Sequence, residues 1–463
     1  MSAPSAKNVL AGLLRAAGHP DATAGAIELP GSAPVLPSSF AVDTAAQATI
    51  AAAALAANEL WRLRTGRRQG LSVDMRSAAI EFRSERYLRV DGKPPSEYHD
   101  PIAGLYRCDD GRWVRLHTNL PHHRDGLLAL LGCSHDRAAV QRALDKWRGE
   151  ALESAAADAG LVVTACRSFA EWDAHPQGRA IARLPLFTID QIGDAPVEPM
   201  GAADRPLAGI KVLDLTRIIA GPVCGRTLAA HGADVLLITA SHLPSMQPLV
   251  IDTGRGKLST SIDLRQSGAR ETLAALLRAA DVFVQGYRPG AVAAFGFGPQ
   301  EAARIRPGIV YVSLCAYGYE GPWAGRRGFD SLVQTASGFN AAEAEAFGAS
   351  EPRPLPAQVL DHATGYLMAF AAMSALARRA ERGGSWHVRT SLAQTGYWFR
   401  QLGRADGLTC PDPSFDDVRD RLEDTPSGFG TLTAVRHAAV MTETPPRWVW
   451  PTVPLGTHAP AWP

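Results

Sequence analysis

A chain of 463 residues is too long for one ordinary domain, and a formal net charge of +1 argues against nucleic acid or an anionic membrane as partner. Apolar residues make up 46% of it, enough for substantial cores. Six cysteines (Cys108, Cys133, Cys166, Cys224, Cys315, Cys410) have no CxxC and no paired spacing, which suits a reducing cytosol better than a disulfide framework or a zinc site. The first 18 residues do not read as a signal peptide. The most apolar stretches, 45–57 and 366–377, fall short of the roughly 20 residues that span a bilayer. They read as Ala-rich buried helices of a soluble, cytoplasmic protein.

In chain order, residues 1–35 predict one short helix over 6–17 and a Pro/Ser/Gly-rich tail. Residues 36–97 predict a helical repeat segment. It has a long Ala-rich helix over 42–64, a basic turn from Gly66 to Gly70, a strand over 71–75 and a helix over 77–88. Residues 98–191 predict a small α+β domain, opening on a hairpin over 105–116 with an Asp110-Gly111 turn. Helices over 125–131, 135–146 and 148–159 follow, then His175-Pro176-Gln177-Gly178 and a strand over 186–189. Residues 192–206 form a Pro/Gly/Asp-rich linker. Residues 207–405 predict an α/β fold, a Rossmann-like open parallel sheet with helices. Residues 406–463 predict a Pro-rich arm whose Trp448, Trp450 and Trp462 need a surface to lie on. The helix over 361–380, its basic Gly turn and the strand over 386–389 repeat the order seen over 42–75. Val42-Asp43 then corresponds to Leu360-Asp361, and Val73 to Val388, which reads as an internal duplication.

The block from Leu207 to Asp330 carries most of the chemistry. A strand over 210–215 runs into a turn ending in Gly221-Pro222, with Pro222 at the first helical position, where its missing N–H costs nothing. The helix over 223–231 stops at Gly232, in the manner of a glycine just past a helix end. A second strand follows over 233–238. The block closes on a Gly/Arg-rich loop and Gly328-Phe329-Asp330, a single exposed acid where α/β units place chemistry. By itself Asp330 also suits a helix N-cap before Ser331. The absence of GxGxxG argues against a dinucleotide. The turn from Arg217 to Pro222 offers N–H groups to a phosphate. Arg255 and Lys257, in a Gly-rich loop, suit phosphate binding or a solvated basic loop. His122-His123 suit a substrate mouth or a helix start, with no third ligand near to indicate a metal. Asp361-His362 suit an acid/base pair or helix caps. Tyr317, Trp323, Phe329 and Phe339 suggest a sizeable aromatic-lined pocket, hence larger acids.

Six pieces stand in order through this block. They are Leu207–Thr216; Ala220-Gly221-Pro222 with Gly232-Ala233-Asp234-Val235; Gly254-Arg255-Gly256-Lys257; Ser261-Ile262-Asp263-Leu264; Asp281–Gly290; and Gly328-Phe329-Asp330. Their wording resembles that of the family III CoA-transferases, the CaiB/BaiF family that includes formyl-CoA transferase and carnitine CoA-transferase. The chain departs from that pattern at Gln285-Gly286, at Ala293-Ala294 and at Thr239-Ala240-Ser241-His242. The resemblance implies CoA transfer between carboxylic acids with Asp330 as nucleophile, through an aspartyl anhydride and an aspartyl-CoA thioester. It implies CoA contacts at Arg217, Ile219, Ala220, Arg255, Lys257, Gly286, Tyr287, Arg288 and Gly328. Acyl-CoA and a carboxylic acid are then the substrates, with no permanently bound cofactor. Two alternatives remain open. One is acyl-CoA racemisation or isomerisation, for which family racemases carry His where Phe329 stands. The other is an acyl-CoA-binding protein without turnover. The family also implies a homodimer, and the duplication leaves a monomer mimicking that dimer as the alternative.

Overall fold

The computed structural model describes residues 4–96 and 99–463. The segment bounds placed at residues 1, 97 and 98 lie outside the described residues. A seven-stranded sheet organises the second half. Its strands in chain order are β1 (Phe187–Gly193), β2 (Lys211–Leu215), β3 (Asp234–Thr239), β4 (Lys257–Ser261), β5 (Val282–Gln285), β6 (Val310–Cys315) and β7 (Ser385–Ser391). They lie side by side as β1-β7-β6-β5-β2-β3-β4. Strands β2 to β7 are parallel, and β1 closes one edge antiparallel to β7. Strands such as Val282–Gln285 and Val310–Cys315 are buried along their whole length, as runs covered by helices on both faces must be. The order reverses between β2 and β5, and in open α/β sheets such a reversal leaves a crevice at the carboxyl ends of the strands.

Two helices of 24 residues, Val42–Thr65 and Val359–Arg382, pack on each other across the two halves of the chain. Alanines from 45 to 57 bring the first close, and one continuous core spans both halves. Val359–Arg382 also packs on Ala220–Ala230. There a Cβ on Gly365 would meet the Ala220 carbonyl at 2.6 Å, so the helices touch backbone to backbone. Helix Ala220–Ala230 starts earlier than expected and makes Pro222 its third residue. Proline is equally harmless there, because the first-turn N–H groups have no partner within the helix.

The small α+β unit has its own core and an antiparallel sheet of Gly104–Arg107, Trp113–Leu116 and Val163–Ala165. The segment expected as a plain arm differs. Its Leu422–Ser427 and Gly430–Val435 form a hairpin that pairs onward with Arg89–Val90, and Ala439–Met441 pairs with Leu71–Val73. Beyond it the chain lies on itself. The Trp448 ring sits 4.1 Å from the Arg255 guanidinium, and the Trp462 indole N–H donates to the Leu276 carbonyl at 3.2 Å. No helix among the described residues is long and apolar enough to cross a membrane.

Candidate functional site

At the reversal point, the loops after β2 and β5 and the loop leading to Asp330 enclose a cavity of about 480 Å³. The small unit closes it with Leu120, His122 and His123. A second cavity of about 170 Å³ adjoins it, sharing Ile218, Phe329 and Asp361 with the first. Ile218 holds φ 76°, a left-handed conformation unfavourable for a β-branched residue. Such strain persists only where the surroundings over-determine it, and here it falls in the turn that faces both cavities.

Asp330 lines the smaller cavity and is the first residue of helix Asp330–Ala336. It was expected exposed, yet it is 1% exposed. It does not cap its own helix, since its carboxylate turns to other partners. The Asp361 N–H donates to Oδ2 at 2.8 Å, the Leu360 N–H also donates, and the Gln334 amide donates to Oδ1. Leu360 and Asp361 belong to the first turn of the 24-residue helix, whose N–H groups are unpaired and whose dipole favours an anion. Burial outweighs these bonds and raises the Asp330 carboxyl to about 6. The Asp361 carboxyl accepts the Ala220 N–H. Burial, then the charges of Asp330 and Glu85, push it well above the carboxylate range. Two buried carboxyls, both with raised pKa, thus stand side by side.

Arg217, Ala220, Gly286, Tyr287, Arg288 and Gly328 line the larger cavity, and Ile219 lines the smaller. Arg326 and Arg327, which sequence reasoning passed over, join Arg217 and Arg288 there. This makes one wall strongly cationic, and Arg288 is its exposed member. His122 feels that field, and burial together with Arg327 and Arg217 lowers its pKa. The smaller cavity gains Arg115 and His117 from the small unit, with the Arg115 Nε donating to Thr335 Oγ1 at 2.9 Å. Cys315 lines the larger cavity, but burial pushes its thiol up to about 12, so it offers no thiolate near neutrality. Among the described residues no group of three or more His, Cys, Asp or Glu is placed to hold a metal.

Residues 7–197 and 207–404 match the family model of CoA-transferase family III. The chain belongs to that family. It is 34% identical over 308 residues to an acyl-CoA transferase of Gibberella moniliformis, covering 62% of this chain and 54% of that one. It is 32% identical over 337 residues to the acetyl-coenzyme A transferase nodX of Hypoxylon pulicicidum, covering 67% and 56%. A succinate–glutarate CoA-transferase of Agrobacterium fabrum is 29% identical over 40% of this chain and 51% of its own. The crystal structure of Rv3272 from M. tuberculosis is 30% identical over 43% of this chain and 59% of its own, with a TM-score of 0.39. The chain thus spans about half the length of the curated relatives it matches.

Several sequence expectations for this family III chain need correction. Arg255 and Lys257 were expected in an open phosphate-binding loop, but they are 4% and 2% exposed and line neither cavity. Arg255 pairs with Asp252 at 3.1 Å and donates to the Val435 carbonyl at 2.8 Å. Lys257 pairs with Asp214 at 2.8 Å and donates to the Pro222 carbonyl at 2.8 Å. Buried cations keep their charge only when so paired. Of the aromatic residues expected to line the pocket, Phe329 does. Tyr317, Trp323 and Phe339 are 3%, 5% and 1% exposed and pack in the core. The missing side chain of Gly328 serves that packing, since a Cβ would meet Ala316 and Tyr317 at 2.7 Å. His362 turns away from Asp361, and its Nε2 meets Glu85 Oε2 at 3.1 Å.

Proposed function

We propose that this chain is an acyl-CoA:carboxylate CoA-transferase in which Asp330 is the nucleophile. One observation carries the reading: a buried, hydrogen-bonded aspartate lines a small cavity that adjoins, at Ile218, Phe329 and Asp361, a larger one whose wall holds Arg217, Arg288, Arg326 and Arg327. Those arginines suit the phosphates of CoA. The larger cavity then takes the pantetheine arm, and the thioester reaches the smaller cavity past Phe329. An Asp330 oxygen attacks the thioester carbonyl carbon, the C–S bond breaks, and an acyl-aspartyl anhydride and the CoA thiolate result. The thiolate adds to the Asp330 carbonyl carbon and expels the acyl carboxylate, leaving an aspartyl-CoA thioester. The acceptor carboxylate reverses both steps. Negative charge develops on the Asp330 oxygen when thiolate adds, and the Leu360 and Asp361 N–H groups already point at that carboxyl. The volume of the smaller cavity, about 170 Å³, favours short acids over the larger ones inferred from the aromatic residues.

Intact-mass analysis after incubation with propionyl-CoA at neutral pH tests the reading. The expected result is an acyl or CoA adduct that Asp330→Ala abolishes together with turnover. Turnover that survives Asp330→Ala overturns it.

A further inference from the structure

Phe329 stands directly before Asp330 and borders both cavities. Two histidines of the small unit hold its ring. His117 stacks on it at 4.0 Å with planes 8° apart, and His123 meets it edge-on at 6.1 Å and 69°. His123 is 4% exposed and lines the larger cavity. Neither of its ring nitrogens has a hydrogen-bond partner among the described residues. An imidazole buried with both nitrogens unpaired is costly, and in a cavity wall a ligand can supply the missing bond.

We propose that His123 is a specificity-determining residue of the transfer site, hydrogen-bonding an uncharged oxygen of the bound thioester, either a pantetheine oxygen or a hydroxyl on the acyl group. The inference rests on the CoA-transfer reading and names a contact within that site. Its place supports it, since the ring shares the cavity wall with the four arginines and meets Phe329 edge-on. Its charge state points the same way. Burial, then His122, His117, Arg327 and Arg217, lowers its pKa to about 3, so the ring is neutral. A neutral imidazole offers one donor and one acceptor, which suits a hydroxyl or an amide oxygen and not a phosphate already served by arginines. His117 shares the stack but holds its other edge in the smaller cavity.

The test uses the full-length protein and two variants. His123→Phe keeps an aromatic ring against Phe329, and His123→Gln keeps a donor and an acceptor. Near-ultraviolet circular dichroism checks that both fold. Calorimetry measures CoA binding, and steady-state kinetics compares propionyl-CoA with lactoyl-CoA, which differ by one hydroxyl. If the partner is a pantetheine oxygen, His123→Phe weakens CoA binding about tenfold, the size of one buried hydrogen bond, and His123→Gln restores most of it. If the partner is the acyl hydroxyl, CoA binding holds and KM rises about tenfold for lactoyl-CoA alone, with kcat little changed. Unchanged binding and unchanged KM for both thioesters in a folded His123→Phe overturn the proposal. Failure of the wild-type protein to bind CoA or to turn over is a separate result and strikes the transfer reading itself.

Discussion

Asp330 has two opposed pH dependences. Its folded pKa, about 6, lies above the ordinary 3.8 because burial penalises the charge. The fold therefore binds this proton more tightly than the unfolded chain does. The group's contribution to stability is fully present below the ordinary value and is lost as pH rises through about 6. Nucleophilic attack requires the carboxylate, so activity runs the other way. The rate of adduct formation is expected to fall about tenfold per pH unit below about pH 6, as measured by quenched-flow mass analysis. A flat profile from pH 7 to pH 4.5 would show that the attacking group ionises lower. The arginines separate along a different line. Arg288→Ala is expected to weaken CoA binding by about 1.5–3 kcal/mol without changing Tm, because the side chain is exposed. Arg255→Ala is expected to cost about 3–5 kcal/mol of stability, because it leaves buried Asp252 with one partner fewer. Calorimetry and thermal unfolding together distinguish these outcomes. The difference was not legible in Gly254-Arg255-Gly256-Lys257. Asp252 stands three residues before Arg255, but Asp214 and the Val435 carbonyl come from separate parts of the chain, and only the fold brings them in.

At the scale of elements, the position of Asp330 is set by the helix Val359–Arg382, whose first turn supplies two of its hydrogen bonds. That helix is fixed against Ala220–Ala230 at Gly365. Gly365→Ala would place a methyl 2.6 Å from a carbonyl oxygen, so the helices must part. A loss of about 1–3 kcal/mol in stability is expected, with a larger proportional loss in adduct rate than in CoA affinity, because the amides shift and the arginines do not. Equal losses in both would point to general unfolding. The parallel strands expected over 210–215, 233–238 and 386–389 were readable, and form at Lys211–Leu215, Asp234–Thr239 and Ser385–Ser391. The hairpin over 422–435 was not. Its first strand carries Glu423, Asp424 and Pro426, poor strand formers that are tolerated on an edge where one ladder is open to water. Asp361 was visible as a residue but stood open between an acid/base pair with His362 and a cap. It does bind a helix N–H, that of Ala220, while standing beside Asp330.

For the molecule as a whole, residues from both halves of one chain line each cavity: His123 with Arg288, and His117 with Asp330. The paired helices Val42–Thr65 and Val359–Arg382 are likewise contributed by a single chain. Both are contacts within one chain, met equally by the homodimer that the family implies and by the monomer that mimics it. The homodimer is expected as a particle of about twice 49.3 kDa by light scattering, and a mass that stays at 49.3 kDa on concentrating would favour the monomer. Activity that falls as a larger particle dissociates would place part of the site on a second chain. The β-ladders have a consequence for synthesis. Leu71–Val73 pairs with Ala439–Met441, and Arg89–Val90 pairs with Thr433 and Leu432. During translation those early strands emerge with their edges bare, and their partners arrive only after the whole central sheet has been made. Contacts so distant in sequence close slowly, and open strand edges invite association with other chains. Yield in a cell should therefore depend more on chaperone supply and elongation rate than the stability of the finished protein suggests.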